Sequence, residues 1–135
     1  MSAHPPSEKQ RAGGLAAFLA GFVHAMRGLG VAARQRNFRV ELAAAGLVLL
    51  AGWQWRVSAG EWTLLILCIF WVLGMEALNT AVETLADRVS RERDRLIGQA
   101  KDLAAAAVLL SALGSAVIGL IIFLPHLTHE IANGN

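Results

Sequence analysis

A chain of 135 residues that is 56% hydrophobic and 16% charged, with a mean hydropathy of +0.51, is too apolar for an ordinary water-soluble domain and too short for two domains. The net charge of +2 is too small to suggest a nucleic-acid partner, and a single cysteine, Cys68, excludes an intrachain disulfide. The composition reads as one small membrane protein, a single domain over residues 1–135.

Met1 to Arg11, with Pro5, Pro6 and Ser7, predicts a loosely ordered start without the layout of a cleavable signal. Over 14–36, Leu15, Phe18, Leu19, Phe22, Met26 and Leu29 recur at helical spacing, and Arg27, Arg34 and Arg36 supply positive charge. That pattern predicts an amphipathic helix lying on the membrane surface and anchored to anionic lipid. A first span over 38–56 follows, its short apolar run extended by Phe38 and Val40 while Arg39 and Arg56 snorkel. Glu41 is an acid at the start of this hydrocarbon segment, which marks it for contact with a lipid headgroup or another subunit.

Trp53, Trp55 and Trp62 flank the next turn as an aromatic belt, and a second span is expected over 61–88. The third, over 98–125, contains the uncharged stretch Leu103 to Leu124, long enough for a bilayer that needs about 20 apolar residues. Its small residues, among them Ser111, Ala112, Ser115, Ala116 and Gly119, recur on successive turns and permit close helix packing. His126 and His129 beyond it read as a polar tail. The fold class is therefore all-α: a surface helix plus three transmembrane helices. Eleven Lys and Arg residues flank one side of these spans and only Arg56 the other. The positive-inside rule then puts the amino terminus and the loop from Arg88 to Lys101 in the cytoplasm.

Within the second span, Glu76, Thr80, Glu83 and Asp87 fall on one stripe of a helix, flanked by Asn79. Carboxylates cost roughly 3 kcal/mol each inside a membrane segment, so they face protein, water or an ion and mark a functional site. Three spans bury little area and shelter these acids poorly, which predicts homo-oligomerisation. Lys101 and Asp102, at the start of the third span, lie across a short connection from the acids and suit an ion pair or a metal-bound phosphate.

The run Glu76-Ala77-Leu78-Asn79-Thr80-Ala81-Val82-Glu83, then Asp87-Arg88, then Gly98-Gln99-Ala100-Lys101-Asp102 with Ala106-Ala107-Val108, resembles the prokaryotic integral-membrane lipid kinases, diacylglycerol kinase and its undecaprenol kinase relatives. Asn37-Phe38-Arg39 matches as well, and the resemblance extends from about Phe22 to Gly119. It implies a homotrimer of three-span subunits in the bacterial inner membrane, with active sites between subunits at the cytoplasmic face. It further implies transfer of the γ-phosphate of MgATP to the hydroxyl of diacylglycerol, or alternatively of undecaprenol.

By this resemblance Glu76 is the base and Asn79 orients groups around it. Glu83 holds Mg2+, with Gln35 standing where the family usually has a metal-binding Glu. Glu83, Glu92, Arg93, Asp94, Lys101 and Asp102 contact ATP, and Arg39, Glu41, Glu76 and Ala105 line the lipid site. The chemistry fits the residue types: a lipid hydroxyl reacts at the interface, a partly desolvated carboxylate there makes a good proton acceptor, and hard cations prefer carboxylate oxygen. Two rivals from other classes remain. An ion or proton pathway explains the acids but gives no role to Asn79, Lys101 and Asp102 together. A structural membrane subunit leaves the acids without a function.

Overall fold

The computed structural model describes residues 8–89 and 94–133, and all the secondary structure among them is helical. Four helices follow in order: α1 (Glu8–Ala32), α2 (Arg36–Gln54), α3 (Ala59–Val89) and α4 (Arg95–Asn133). Helices α3 and α4 are each long and apolar enough to cross a membrane. Helix α2 joins that set when it is counted with α1 as one bent pair, the two meeting at 95°. At about 1.5 Å per residue, the 31 residues of α3 reach roughly 46 Å and the 39 of α4 roughly 58 Å. Both exceed a hydrocarbon core of about 30 Å, so their ends project into the headgroup layer or beyond.

The elbow between α1 and α2 is a tight turn in which the Arg34 and Gln35 amides donate to the Val31 and Ala32 carbonyls at 3.1 and 2.9 Å. Ala32 and Phe38, one on each side of it, are buried and fix the angle at which α2 leaves. Most of α1 stands clear of the bundle, with Phe18, Leu19, Phe22, Met26 and Leu29 exposed. This is the face a membrane surface would cover.

The turn from α2 to α3 is built by local chemistry. The Arg56 amide donates to Trp53 O at 3.2 Å and the Val57 amide to Gly52 O at 3.1 Å, the paired bonds of a Schellman ending. Arg56 takes the left-handed conformation, with φ of 49°, where glycine is usual. Ser58 then opens α3 as a capping box: its amide donates to Glu61 Oε2 at 2.7 Å and its Oγ accepts from the Glu61 amide at 3.4 Å. At the other end, Asp94 Oδ1 accepts from the Leu96 and Ile97 amides at 2.7 and 3.3 Å and caps α4.

Helix α3 is the centre of the bundle, packed along α4 over most of its length and against α2. The apolar cluster of Val57, Leu65 and Ile122 sits toward the end away from the basic residues, with Trp55, Trp62 and Phe123 packed around it. Helix α4 continues through Pro125 to Asn133, beyond the span expected over 98–125. Three contacts hold this stretch of α4 on the α2–α3 turn. Trp55 Nε1 donates to Glu130 Oε2 at 2.7 Å, His126 Nε2 lies 3.5 Å from Glu61 Oε1, and the Trp55 and Phe123 rings meet at a 48° tilt with centroids 5.4 Å apart. His126 therefore belongs to a packed corner and not to a loose polar tail.

Candidate active site

The antiparallel course of the helices brings the first turns of α2, the last turns of α3 and the first turns of α4 to the basic end of the bundle. There the acid stripe of α3 is graded by burial. Glu76, Asn79 and Thr80 are 3%, 5% and 8% exposed, whereas Glu83 and Asp87 are open. The deeper part of the stripe is the part that α2 residues approach. Asn37 and Glu41, one turn apart on α2, both lie near the Glu76 carboxylate, Glu41 as a like charge. Glu83 adds a second like charge from α3 itself.

Asn79 joins the deep and open parts of the stripe. Its Nδ2 donates to Glu83 Oε1 at 3.3 Å, an assignment dictated by an acceptor-only carboxylate. The same bond leaves its buried Oδ1 without a hydrogen-bond partner. A buried amide oxygen left unpaired costs on the order of 1–3 kcal/mol, so a donor brought there by a bound group would recover that cost.

On α4, Lys101 Nζ lies 2.9 Å from Asp87 Oδ1 and within electrostatic reach of Glu83. This is the ion pair between the acids and the start of the third span that the charge pattern admitted. The remaining expected residues divide. Asp94 uses a carboxylate oxygen to cap α4. Gln35 stands at the N-cap of α2 without a side-chain capping bond, and Arg39, Asp102 and Ala105 are exposed. Glu92 and Arg93 lie outside the described residues. Asn37, matched to the family pattern but given no role from the sequence, belongs to the cluster. Its signal was present, since Asn37 and Glu41 are four residues apart and share a helix face.

Among the described residues, no group of three or more His, Cys, Asp or Glu side chains is set to hold a metal ion. The open carboxylate of Glu83 still suits Mg2+, which commonly binds one or two carboxylates and completes its shell with phosphate oxygens and water. Beside the acids, an apolar groove of about 500 Å3 runs between α2, α3 and α4. Glu41 stands at its basic end, Ala45, Leu65, Ala116 and Gly119 lie along it, and Phe123 lies toward the far end. A groove of hydrocarbon character ending at the half-buried Glu41 carboxylate offers one path for a greasy chain and one place for a polar head.

The family model for prokaryotic diacylglycerol kinase matches residues 23–123. The chain belongs to that family. Undecaprenol kinase from Bacillus subtilis is 43% identical over 111 residues, which cover 82% of this chain and 90% of the relative. Diacylglycerol kinase from Escherichia coli K12 is 36% identical over 93 residues, 69% of this chain and 72% of the relative. Diacylglycerol kinase from Synechocystis is also 36% identical, over 81% of this chain and 63% of the relative. As a family member the chain is a phosphotransferase of the lipid-kinase type. The matched residues include the whole acid cluster and Lys101 but stop at Phe123, before the stretch of α4 that folds onto the α2–α3 turn.

Proposed function

We propose that this protein transfers the γ-phosphate of MgATP to the hydroxyl of a long-chain lipid alcohol, at the cytoplasmic face of a bacterial plasma membrane. The observation that carries this reading is the juxtaposition of buried Glu76 with open Glu83 and with Lys101, beside an apolar groove. Glu76 takes the hydroxyl proton as the lipid oxygen forms its bond to the γ-phosphorus. The bond from that phosphorus to the bridging oxygen breaks, and ADP leaves with the electron pair. Asn79 holds Glu83 through its Nδ2 and offers its free Oδ1 to a donor on the bound reactants. Glu83 binds the metal, whose contribution when present is to neutralise the charge of the triphosphate. Lys101 balances charge at the nucleotide, with Gln35, Asp94 and Asp102 around the opening.

For the acceptor, undecaprenol ranks first, because the undecaprenol kinase relative is more similar than the two diacylglycerol kinases and is covered over more of its length. Diacylglycerol is the second reading: by resemblance Glu41 leans slightly that way and Asn37 leans toward undecaprenol. The active unit in this reading is the homotrimer that the resemblance implies, and a neighbouring subunit would bring a donor to the unpaired Asn79 Oδ1. Incubating purified protein in mixed micelles with γ-labelled ATP, Mg2+ and either undecaprenol or diacylglycerol tests the proposal. Label is expected in undecaprenol above diacylglycerol; label in neither would overturn it.

A further inference from the structure

We infer that the end of the bundle opposite the acid cluster holds the headgroup of an ammonium-bearing zwitterionic phospholipid, with Arg56 on its phosphate and Glu130 on its ammonium. This site stands apart from the proposed reaction and draws much of its lining from α4 beyond Phe123, where the family match stops. A depression of about 730 Å3 opens there between the α2–α3 turn and the end of α4. Arg56 lines it from the turn and Glu130 from the helix, together with Trp55, His126 and His129. Among the described residues no ion pair joins Arg56 to Glu130. Opposite unit charges thus line one depression without meeting, an arrangement complementary to a ligand that carries an anion and a cation a few bonds apart.

Each charge is held by its surroundings. Glu130 Oε2 accepts from Trp55 Nε1 at 2.7 Å, and the Trp55 ring packs on Phe123 with centroids 5.4 Å apart. Oε1 keeps acceptor capacity for an ammonium N–H. The other carboxylate of the corner, Glu61, is engaged by the Ser58 amide at 2.7 Å and lies 3.5 Å from His126. Arg56 is fixed at its backbone, with φ of 49° and its amide on Trp53 O at 3.2 Å. Glycine would fill that left-handed position without a Cβ penalty, so the guanidinium is carried there at a conformational cost. Its planar fork suits two phosphate oxygens. Trp53, Trp55 and Trp62 flank the turn, and tryptophans of this kind sit at headgroup depth. In the proposed topology this is the outer leaflet, and Arg56 is the one Lys or Arg on that side of the spans. A purely anionic headgroup would meet Glu130 and Glu61 as like charges, and a quaternary ammonium has no N–H to donate to Glu130. The chemistry therefore selects a primary ammonium beside the phosphate.

The test titrates the intact chain, purified in detergent, with phosphatidylethanolamine, phosphatidylglycerol or phosphatidylcholine of identical acyl chains. Retained lipid is counted by native mass spectrometry, and melting temperature is followed in parallel. The parent protein is expected to retain phosphatidylethanolamine at least about fivefold above the other two, the scale of a solvent-accessible charge pair. Arg56→Gly restores the residue that the turn favours, and is expected to erase this preference while the melting temperature without lipid holds or rises. Glu130→Gln keeps an oxygen for the Trp55 indole but removes the charge, and is expected to lower phosphatidylethanolamine to the level of phosphatidylcholine. Equal retention of the three lipids by the parent, or a preference for phosphatidylglycerol, would overturn the site. So would a phosphatidylethanolamine preference that persists in either variant. No step of the test uses ATP, so its result is independent of whether the protein phosphorylates a lipid.

Discussion

Lys101 separates a nucleotide contact from a structural clasp. The Lys101–Asp87 pair is 2.9 Å long, but its side chains are 38% and 70% exposed. Solvated ion pairs of this kind change an equilibrium by at most about fivefold, because water screens the attraction and two long side chains lose freedom. A lysine bonded to a triphosphate is worth more, roughly tenfold to a hundredfold in affinity. The two roles therefore predict different patterns in a double-mutant cycle of Lys101→Met and Asp87→Asn, read as KM for ATP at saturating lipid. Lys101→Met is expected to raise KM by at least tenfold, Asp87→Asn by less than about fivefold, and the double variant to resemble Lys101→Met. Thermal melting of each variant checks that the fold persists. Equal losses in both single variants, with none added in the double, would refute the reasoning and make the pair a clasp between α3 and α4.

Two further predictions follow from the geometry. Glu83→Gln keeps the Asn79 bond available through its amide oxygen but removes the carboxylate, so half-maximal activity should need at least about tenfold more Mg2+; an unchanged Mg2+ titration would exclude Glu83 as a ligand. Glu130→Ala deletes the acceptor of the Trp55 indole at 2.7 Å, beyond the residues matched by the family model. At about 1 kcal/mol for an exposed hydrogen bond, melting should fall by a few degrees with kcat unchanged; an unaltered melting temperature would show that the corner contributes nothing.

The sequence made the helices legible where hydropathy and local chemistry agree. The apolar runs and the charged connection from Arg88 to Lys101 point to the same helix boundaries within a few residues. It did not show how far α4 runs past Pro125, whose missing N–H costs the helix one hydrogen bond. Packing outweighs that loss, since Thr128 Oγ1 donates to Pro125 O at 3.0 Å and His126 and Glu130 are held by Glu61 and Trp55. The start of α1 at Glu8 was hidden for another reason: Pro5, Pro6 and Ser7 suggested a longer irregular start. For the site, helical spacing put Glu76, Thr80, Glu83 and Asp87 on one stripe but gave no depth. Depth depends on what packs over each residue, which spacing along one helix does not show: Glu76 is buried and Asp87 open. Asp94 was given to the nucleotide by resemblance, while its position before Leu96 and Ile97 already suited a cap.

The central claim is that Glu76, buried between α2 and α3, accepts the proton of the lipid hydroxyl. Glu76→Gln removes that capacity while keeping shape and the neighbourhood of Asn37. Its single-turnover rate of phosphate transfer, measured beside equilibrium binding of MgATP, is the most direct test. The account predicts a fall of roughly a hundredfold to ten-thousandfold in rate with binding within about twofold of the parent. A rate near that of the parent, with binding intact, would contradict it.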